Sequence, residues 1–155
     1  MRISWIRSAL VITCVMSTVL SSASSPQNAS STERQLFDAV NRERTSRGIP
    51  TLRWDEALAA AARSHALEMA KRGGVAHQFP GEPNLPTRAQ RAGVRYTSLA
   101  EDVDQGPNAG AIHQRLMSSP LHRDNILDSS YNSVGIGVAG HDGGWFVVED
   151  FSKAK

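Results

Sequence analysis

The sequence predicts an α+β domain in which helices come first and a β-hairpin comes last. Apolar residues recur at helical spacing in stretches before residue 119, and polar caps or glycines bound these stretches. Residues 134–139 instead alternate between large and small side chains, and residues 145–151 supply a second apolar run after a glycine-rich turn. A hairpin that follows several helices favours an antiparallel sheet covered by helices.

The first 23 residues have the features of a secretory signal peptide. Residues 1–8 carry two arginines and no acid, and residues 9–20 form an apolar run that is short for a membrane span. Small residues before residue 24 suit cleavage after Ala23, and an uncleaved anchor is the alternative. Cleavage removes the lone Cys14, so we expect no disulfide or thiol chemistry. We expect a secreted, periplasmic or cell-envelope location, a linker at 24–30 and a folded domain at 31–155.

The charge of the chain excludes some classes of partner. The formal net charge is +2, and Arg2 and Arg7 lie in the predicted signal peptide. Without them, the Lys and Arg residues equal the 15 Asp and Glu residues in number. A neutral domain lacks the positive surface with which proteins bind nucleic acid or anionic membranes. We therefore expect no nucleic-acid partner, membrane contact only through the signal segment, and a monomer.

Capping residues place the first two helices. Ser30 and Glu33 fit a capping box, which begins a helix that runs to about residue 47. Asp55 caps a second helix over residues 56–72, and an extended connector separates the two helices. The chain beyond predicts a loop at 75–85, a short helix at 86–92, a strand at 95–103, a turn at 105–108 and a helix at 109–118 whose end is disturbed by Pro120.

Three polar residues near the ends of these elements are candidates for a functional site. His77 lies in the loop, Glu101 lies late in the predicted strand, and His122 lies just beyond a helix end. Two imidazoles and a carboxylate suit a divalent metal such as zinc, and they also suit general acid–base chemistry. Ser119, close to His122 in sequence, is a candidate nucleophile. Loop histidines that bond only to the backbone are the structural alternative.

The other histidines fit structural positions better. His65 lies on the apolar stripe of the second helix, which indicates a packed histidine rather than a ligand. His113 lies in the middle of a helix and His141 in the hairpin turn, and we expect both to be solvated.

Successive blocks of the sequence resemble the CAP superfamily, which includes cysteine-rich secretory proteins, antigen 5 and plant pathogenesis-related proteins. The chain is most similar to the cysteine-free bacterial SCP-like branch, and the resemblance covers nearly all of residues 33–152. The blocks are Leu36-Phe37-Asp38-Ala39-Val40-Asn41, Leu52-Arg53-Trp54-Asp55, Ala62-x-x-His65-Ala66, Ala76-His77, Ala100-Glu101-Asp102-Val103, Ser119-x-x-His122-Arg123-x-Asn125 and Val134-Gly135-Ile136-Gly137-Val138.

The resemblance implies an α-β-α sandwich with a three-stranded antiparallel sheet between helical layers. It also implies an open cleft lined by two histidines and two acids, which by position are His77, His122 and Glu101, with Ser119 at the place of the second acid. Strand alternation puts Asp102 on the face opposite Glu101, so it does not restore the lost carboxylate.

Two functions follow from this resemblance as expectations. The first is a secreted module that binds a small apolar or lipid ligand or a cell-wall ligand in the His/Glu cleft. The second is a metal-assisted hydrolase, similar to a peptidase, in which His77 and His122 bind zinc and Glu101 is the third ligand or the base. A serine hydrolase built on Ser119 and His122 is a weaker form of the second.

Overall fold

The structure, a computed structural model, describes residues 29–155, which form five helices and four strands. The predicted signal peptide and residues 24–28 of the predicted linker lie outside this part of the chain. The elements in order are α1 (Ser31–Thr45), β1 (Arg53–Trp54), α2 (Glu56–Arg72), α3 (Leu85–Arg91), β2 (Tyr96–Gly106), α4 (Ala109–Ser118), α5 (Pro120–Leu127), β3 (Ser133–His141) and β4 (Gly144–Ala154). Within residues 29–155, none of the helices has the length and apolar character that crossing a membrane requires.

The sheet corrects one expectation, because it has four strands and is mixed. The strand order is β1-β3-β4-β2, in which β2, β4 and β3 are antiparallel as predicted. The connector after α1 adds β1, which pairs with β3 in parallel, with Arg53 beside Ser133 and Trp54 beside Val134. Main-chain hydrogen bonds from Arg53 to Asn132 and from Asp55 to Val134 complete this pairing. The short strand covers an edge of β3 that would otherwise leave its backbone groups unpaired.

The predicted helix caps are present. The Ser30 hydroxyl accepts a hydrogen bond from the Glu33 amide, and the Glu33 carboxylate accepts one from the Ser30 amide, which completes the capping box. The Asp55 side chain accepts from the amide of Leu58 at the start of α2. Ala29, at the end of the predicted linker, is buried in the core beside α1. The packed domain therefore begins at least two residues before residue 31.

The two faces of the sheet carry different layers. Strands β3 and β4 pack on one face against α2, where a Cβ atom built on Gly137 would lie 2.1 Å from the main-chain nitrogen of Arg63. A Cβ atom on Gly135 would lie equally close to the nitrogen of Ala59. The alternating glycines in β3 thus let the α2 backbone rest directly on the strand. The other face packs against α1, α4 and α5 through a larger apolar cluster.

The helix after α4 also differs from the sequence prediction. Pro120 does not merely disturb the end of α4, because it is the first residue of the separate helix α5. Proline suits this position, where the missing N–H would have no helical partner. His122 therefore lies in the first turn of a helix, rather than just beyond the end of one. Strand β2 also runs on to Gly106, which shortens the predicted turn that follows it.

Arg44 fixes the far end of α5 to α1. Its side chain is fully buried, and its guanidinium donates to the carbonyls of Ile126 at 2.8 Å and Asp128 at 2.9 Å. It also donates to the carbonyls of Pro50 and Tyr131. Three of these carbonyls lie at or beyond the end of α5, where helical partners are lacking. One buried arginine thus holds the helix that carries His122.

Candidate functional site

The buried carboxylate of Glu101 joins His77 to Arg88. The Nδ1 atom of His77 lies 3.0 Å from Oε1 of Glu101, and the Arg88 guanidinium bonds to Oε2 of the same carboxylate. Arg88 also donates to the main-chain carbonyls of His77 and Pro83. The side chains of Glu101 and Arg88 are 4% and 5% exposed, whereas that of His77 is 62% exposed. The buried pair therefore supports one imidazole that faces solvent.

The loop that carries His77 is held by the buried His65. The Nδ1 atom of His65 lies 2.6 Å from a carboxylate oxygen of Glu82, and its Nε2 atom lies 2.8 Å from the carbonyl oxygen of Ala76. The Arg72 guanidinium lies over the ring of Phe79 in the same loop, 4.9 Å from the ring centre. The prediction that His65 is a packed histidine is confirmed. It stabilises the segment on both sides of His77.

The pKa of His77 is raised from its ordinary value. The hydrogen bond to Glu101 is the main cause, and the charge of that carboxylate adds to it, while partial burial acts in the opposite direction. Because Nδ1 is directed at Glu101, the Nε2–H of the protonated ring is the group that can donate a hydrogen bond to a ligand. When protonated, His77 is thus a charged donor at the surface.

His122 reaches the same region from α5. Burial lowers the pKa of His122, the charge of Asp104 opposes this change, and the charge of His77 adds to it. The two imidazoles are therefore close enough to influence each other electrostatically. Their pKa values are shifted in opposite directions, so His77 holds its proton to a higher pH than His122 does.

Strands β2 and β4 hold four carboxylates at adjacent positions. Glu101 lies opposite Asp150, and Asp102 lies opposite Glu149, in the antiparallel register. Burial raises the pKa of Asp102 to about 7, against the hydrogen bond of 2.7 Å that its Oδ1 accepts from Asn125. Burial also raises the pKa values of Glu149 and Asp150, both of which have no exposed surface. Burial thus shifts these three groups towards the protonated form in the folded protein.

Asp102 lies on the sheet face opposite Glu101, as the strand alternation predicts. Side chains at directly opposite positions share a face, so Asp102 and Glu149 lie with α5 while Glu101 and Asp150 lie towards α2 and α3. Arg88, Glu149 and Asp150 were not among the residues predicted for the site. Glu149 and Asp150 are adjacent acids inside the otherwise apolar run at 145–151, and this pattern could have indicated that they are buried.

Ser119 lies at the junction of α4 and α5. It is the N-cap residue of α5, but its side chain makes no capping hydrogen bond. Its main-chain N–H instead donates to the carbonyls of Arg115 and Leu116 at the end of α4. The structure thus gives this serine a backbone role at a helix junction. Its candidacy as a nucleophile stays a prediction.

The donor groups of this site do not fit a zinc centre as they are arranged. Within residues 29–155, no three His, Cys, Asp or Glu side chains form a group that could hold a metal ion. Both carboxylate oxygens of Glu101 are already engaged, one by His77 and one by the cationic Arg88. A cation at Glu101 would have to displace a buried arginine, which costs more than displacing water.

One of the two histidines expected to be solvated is largely buried instead. The side chain of His113 is 13% exposed, and its Nε2 atom lies 3.8 Å from a carboxylate oxygen of Glu43 on α1. Burial lowers the pKa of His113. The helix periodicity did not reveal this, because α1 covers the side of α4 that carries His113. The side chain of His141 lies outside the described part of the chain.

Comparisons with known proteins agree with the fold. A family model described as "CAP: Cysteine-rich secretory protein family" matches residues 37–151. The Bacillus subtilis protein YkwD is 27% identical over 115 residues, which are 74% of this chain and 45% of YkwD. The chain thus spans less than half the length of that relative.

Solved structures show the same architecture. An extracellular protein containing an SCP domain from Bacillus anthracis is 27% identical with a TM-score of 0.73, and the match covers 79% of this chain and 40% of that one. An outer surface protein from Borrelia burgdorferi is 16% identical with a TM-score of 0.71, and the match covers 77% of this chain and 90% of that one. The second likeness concerns the fold alone.

Proposed function

The chain belongs to the cysteine-rich secretory protein family, and from this premise we propose that it is an extracytoplasmic binding module whose ligand contacts His77. One observation carries the proposal: a buried carboxylate fixed by Arg88 holds an exposed imidazole with its second nitrogen directed away from that carboxylate. Such an arrangement offers a charged hydrogen-bond donor in a fixed orientation. Preorganised donors lower the cost of ordering a site on binding.

The ligand that suits this donor carries an acceptor oxygen, and a carboxylate suits it best. The protonated ring of His77 forms a charge-assisted hydrogen bond to such a group. The His122 ring, in the same region, can form a further hydrogen bond to the ligand. Cell-wall peptides and fatty acids both present carboxylates. We infer a cell-wall fragment as the ligand class, with a lipid as the competing source of the same chemistry.

The location rests on the relatives and on the sequence. The Bacillus anthracis protein that shares this fold is described as extracellular. The first 23 residues of this chain have the features of a signal peptide. Together they support a place outside the cytoplasm.

A metal-assisted hydrolase using the same residues has weaker support. It needs several donors around one ion, and Glu101 is committed to Arg88 and His77. Binding needs only the second ring nitrogen of His77, which this arrangement provides. Zinc calorimetry together with an activity assay separates the two functions. Micromolar zinc binding that is lost in His122→Ala, with turnover of peptide or cell-wall substrates by the wild type, would favour the hydrolase, whereas zinc binding without turnover would mean that the metal only orders the cleft.

Histidine-selective NMR tests the proposed site directly. We expect soluble cell-wall peptides with a free carboxylate to shift the ring resonances of His77 and His122 but not those of His113. His77→Asn should weaken this binding by about tenfold, the value of one charged hydrogen bond. His113→Asn is the matched control and should bind as the wild type does. Equal binding by His77→Asn contradicts the proposal, and binding of fatty acids but not of wall peptides shifts the ligand class to lipid.

A further inference from the structure

A second aromatic site lies at the hairpin end of the sheet, away from His77. Trp145 is near the start of β4, where it pairs with Gly106 of β2 on one side and with Gly140 of β3 on the other. Paired positions share a face, so the indole has no cross-strand side chain on either flank.

The surroundings of the two glycines set the position of the indole. A Cβ atom on Gly140 would lie 3.2 Å from Cζ3 of Trp145, so the ring rests on this glycine. A Cβ atom on Gly106 would lie 2.8 Å from Ile112 and 3.3 Å from the Arg115 guanidinium, so α4 approaches on that side. The indole therefore lies against the sheet end, beside the polar side chain of Arg115.

Trp145 differs from Trp54 in how its ring is used. Trp54 is 9% exposed, its N–H donates to Glu56 at 2.8 Å, and its ring packs edge-on against Phe37. Trp145 is 37% exposed, and no ring-stacking contact is made by its indole within residues 29–155. A partly exposed indole that does not stack on another aromatic ring is suited to contact a ligand.

Polar side chains surround this ring in a groove of about 470 Å³. Arg115 lies on the wall that shares the sheet face of Trp145, whereas Gln105, opposite Phe146 in the register, lies on the other face. The glycines of the hairpin and of the end of α2 leave main chain accessible. Arg115 forms an ion pair with Asp104 at 2.6 Å and is half exposed. Because its charge is already balanced, the groove has no strong preference for an anion.

We propose that this groove is a glycan-binding subsite in which a pyranose ring stacks on Trp145. A pyranose offers an apolar C–H face to the indole and a rim of hydroxyl or acetamido oxygens to the guanidinium of Arg115 and to the accessible main chain of the hairpin. A purely apolar partner would cover the donors of Arg115 and of the main chain without giving them acceptors, which costs free energy. A neutral sugar satisfies the ring and the donors together.

The subsite is separate from the site at His77. Glu101 lies five residues before Gly106 on β2, which places the two regions roughly 17 Å apart along the strand. Glycan binding at Trp145 is therefore independent of the proposed function of His77. A variant at His77 should leave glycan binding unchanged, and a variant at Trp145 should leave the His77 resonances unchanged.

Titration of the full chain with the tetramer of N-acetylglucosamine, followed by NMR, tests the subsite. We expect the indole N–H resonance of Trp145 to shift while that of Trp54 stays in place. Trp145→Ala should weaken binding by about tenfold or more, and Trp145→Tyr should keep it within about threefold, since a tyrosine ring also stacks. Gln105→Ala is the matched control and should bind as the wild type does, because Gln105 lies on the other face of the sheet.

Three results would overturn the glycan subsite. The first is an unchanged Trp145 resonance at millimolar concentrations of both this tetramer and cellotetraose. The second is wild-type affinity in a Trp145→Ala variant whose circular dichroism shows the native fold. The third is a Trp145 resonance that moves with protein concentration alone, since this would mean that a second copy of the chain covers the ring.

Discussion

His77 and Glu101 share a hydrogen bond of 3.0 Å in which the carboxylate is buried and the imidazole is exposed. The buried partner is fixed by Arg88, so the exposed partner has a defined orientation and a raised pKa. A surface histidine without such support would adopt several rotamers and would titrate at its ordinary pKa. The pair thus converts a loop histidine into a positioned donor.

Glu101→Gln should lower the pKa of His77, because the substitution removes the negative charge that stabilises the imidazolium. The amide oxygen can still accept a hydrogen bond from the ring, but the amide NH2 then faces the buried Arg88 guanidinium. We therefore also expect a loss of stability, and the titration is made on variant protein whose circular dichroism shows the native fold. NMR titration of the ring Cε1–H resonance measures the change. His113 serves as an internal control, since Glu43 rather than Glu101 is the carboxylate near it. A pKa of His77 that stays at its wild-type value would show that Glu101 does not set it.

Asp102→Asn should stabilise the protein at pH 7. Burial raises the pKa of Asp102 from 3.8 to about 7, so the folded state holds this proton over a range in which the unfolded state has lost it. The free energy of unfolding of the wild type therefore falls as the pH rises from about 4 to about 7. An asparagine has no proton to lose, and it can still accept the hydrogen bond from Asn125.

Urea unfolding at several pH values measures this difference between Asp102→Asn and the wild type. The gap should be small near pH 4 and should grow to at most about 4 kcal/mol near pH 7, given a pKa of 3.8 in the unfolded chain and of about 7 in the folded one. Asp38→Asn, at an exposed position of α1, is the control and should leave the profile unchanged. A constant gap across this pH range would mean that Asp102 does not titrate with a raised pKa.

Local features of the sequence were sufficient to predict much of the fold. The capping box at Ser30, the cap at Asp55 and the hairpin that ends the chain depend on residues only a few positions apart. The packed position of His65 follows from the helical stripe on which it lies. Each of these predictions needed only spacing along one element.

Features that depend on distant segments could not be predicted in the same way. The pairing of β1 with β3 joins residues about eighty positions apart, and a two-residue strand has no periodicity to recognise. The contact of Arg88 with Glu101 depends on how α3 packs beside β2. The resemblance to the family predicted His77, Glu101 and His122 as site residues. It did not predict that the Glu101 carboxylate, which a metal site would need as a ligand, is bound by the buried Arg88.

Gly137→Ala should strongly destabilise the protein. A Cβ atom there would lie 2.1 Å from the main-chain nitrogen of Arg63, and neither the strand nor the helix backbone can move aside cheaply. We expect a loss of about 3 kcal/mol or more in the free energy of unfolding. Gly74→Ala is the matched control, because no heavy atom lies within 4 Å of the position that its added methyl carbon would take and its φ is not positive. Thermal unfolding of both variants measures this difference. Equal unfolding midpoints for the two variants would show that the α2 backbone does not rest on this strand.

Arg44→Lys should also be destabilising, although it keeps the charge. The guanidinium donates to four carbonyls in two separate segments of the chain. One is that of Pro50, and the other three lie at or beyond the end of α5. A lysine ammonium cannot reach this spread of acceptors, so buried carbonyls lose their partners. The expected loss is about 3 kcal/mol in the free energy of unfolding, measured by urea denaturation.

Arg47→Lys is the control for the Arg44 variant, because Arg47 lies one turn further along and forms an exposed ion pair with Glu43. It should change stability by less than about 0.5 kcal/mol. Since Arg44 holds the helix that carries His122, hydrogen exchange in residues 120–127 should become faster in Arg44→Lys than in Arg47→Lys. Unchanged exchange in α5, with a loss of stability confined to α1, would show that Arg44 does not fix this helix.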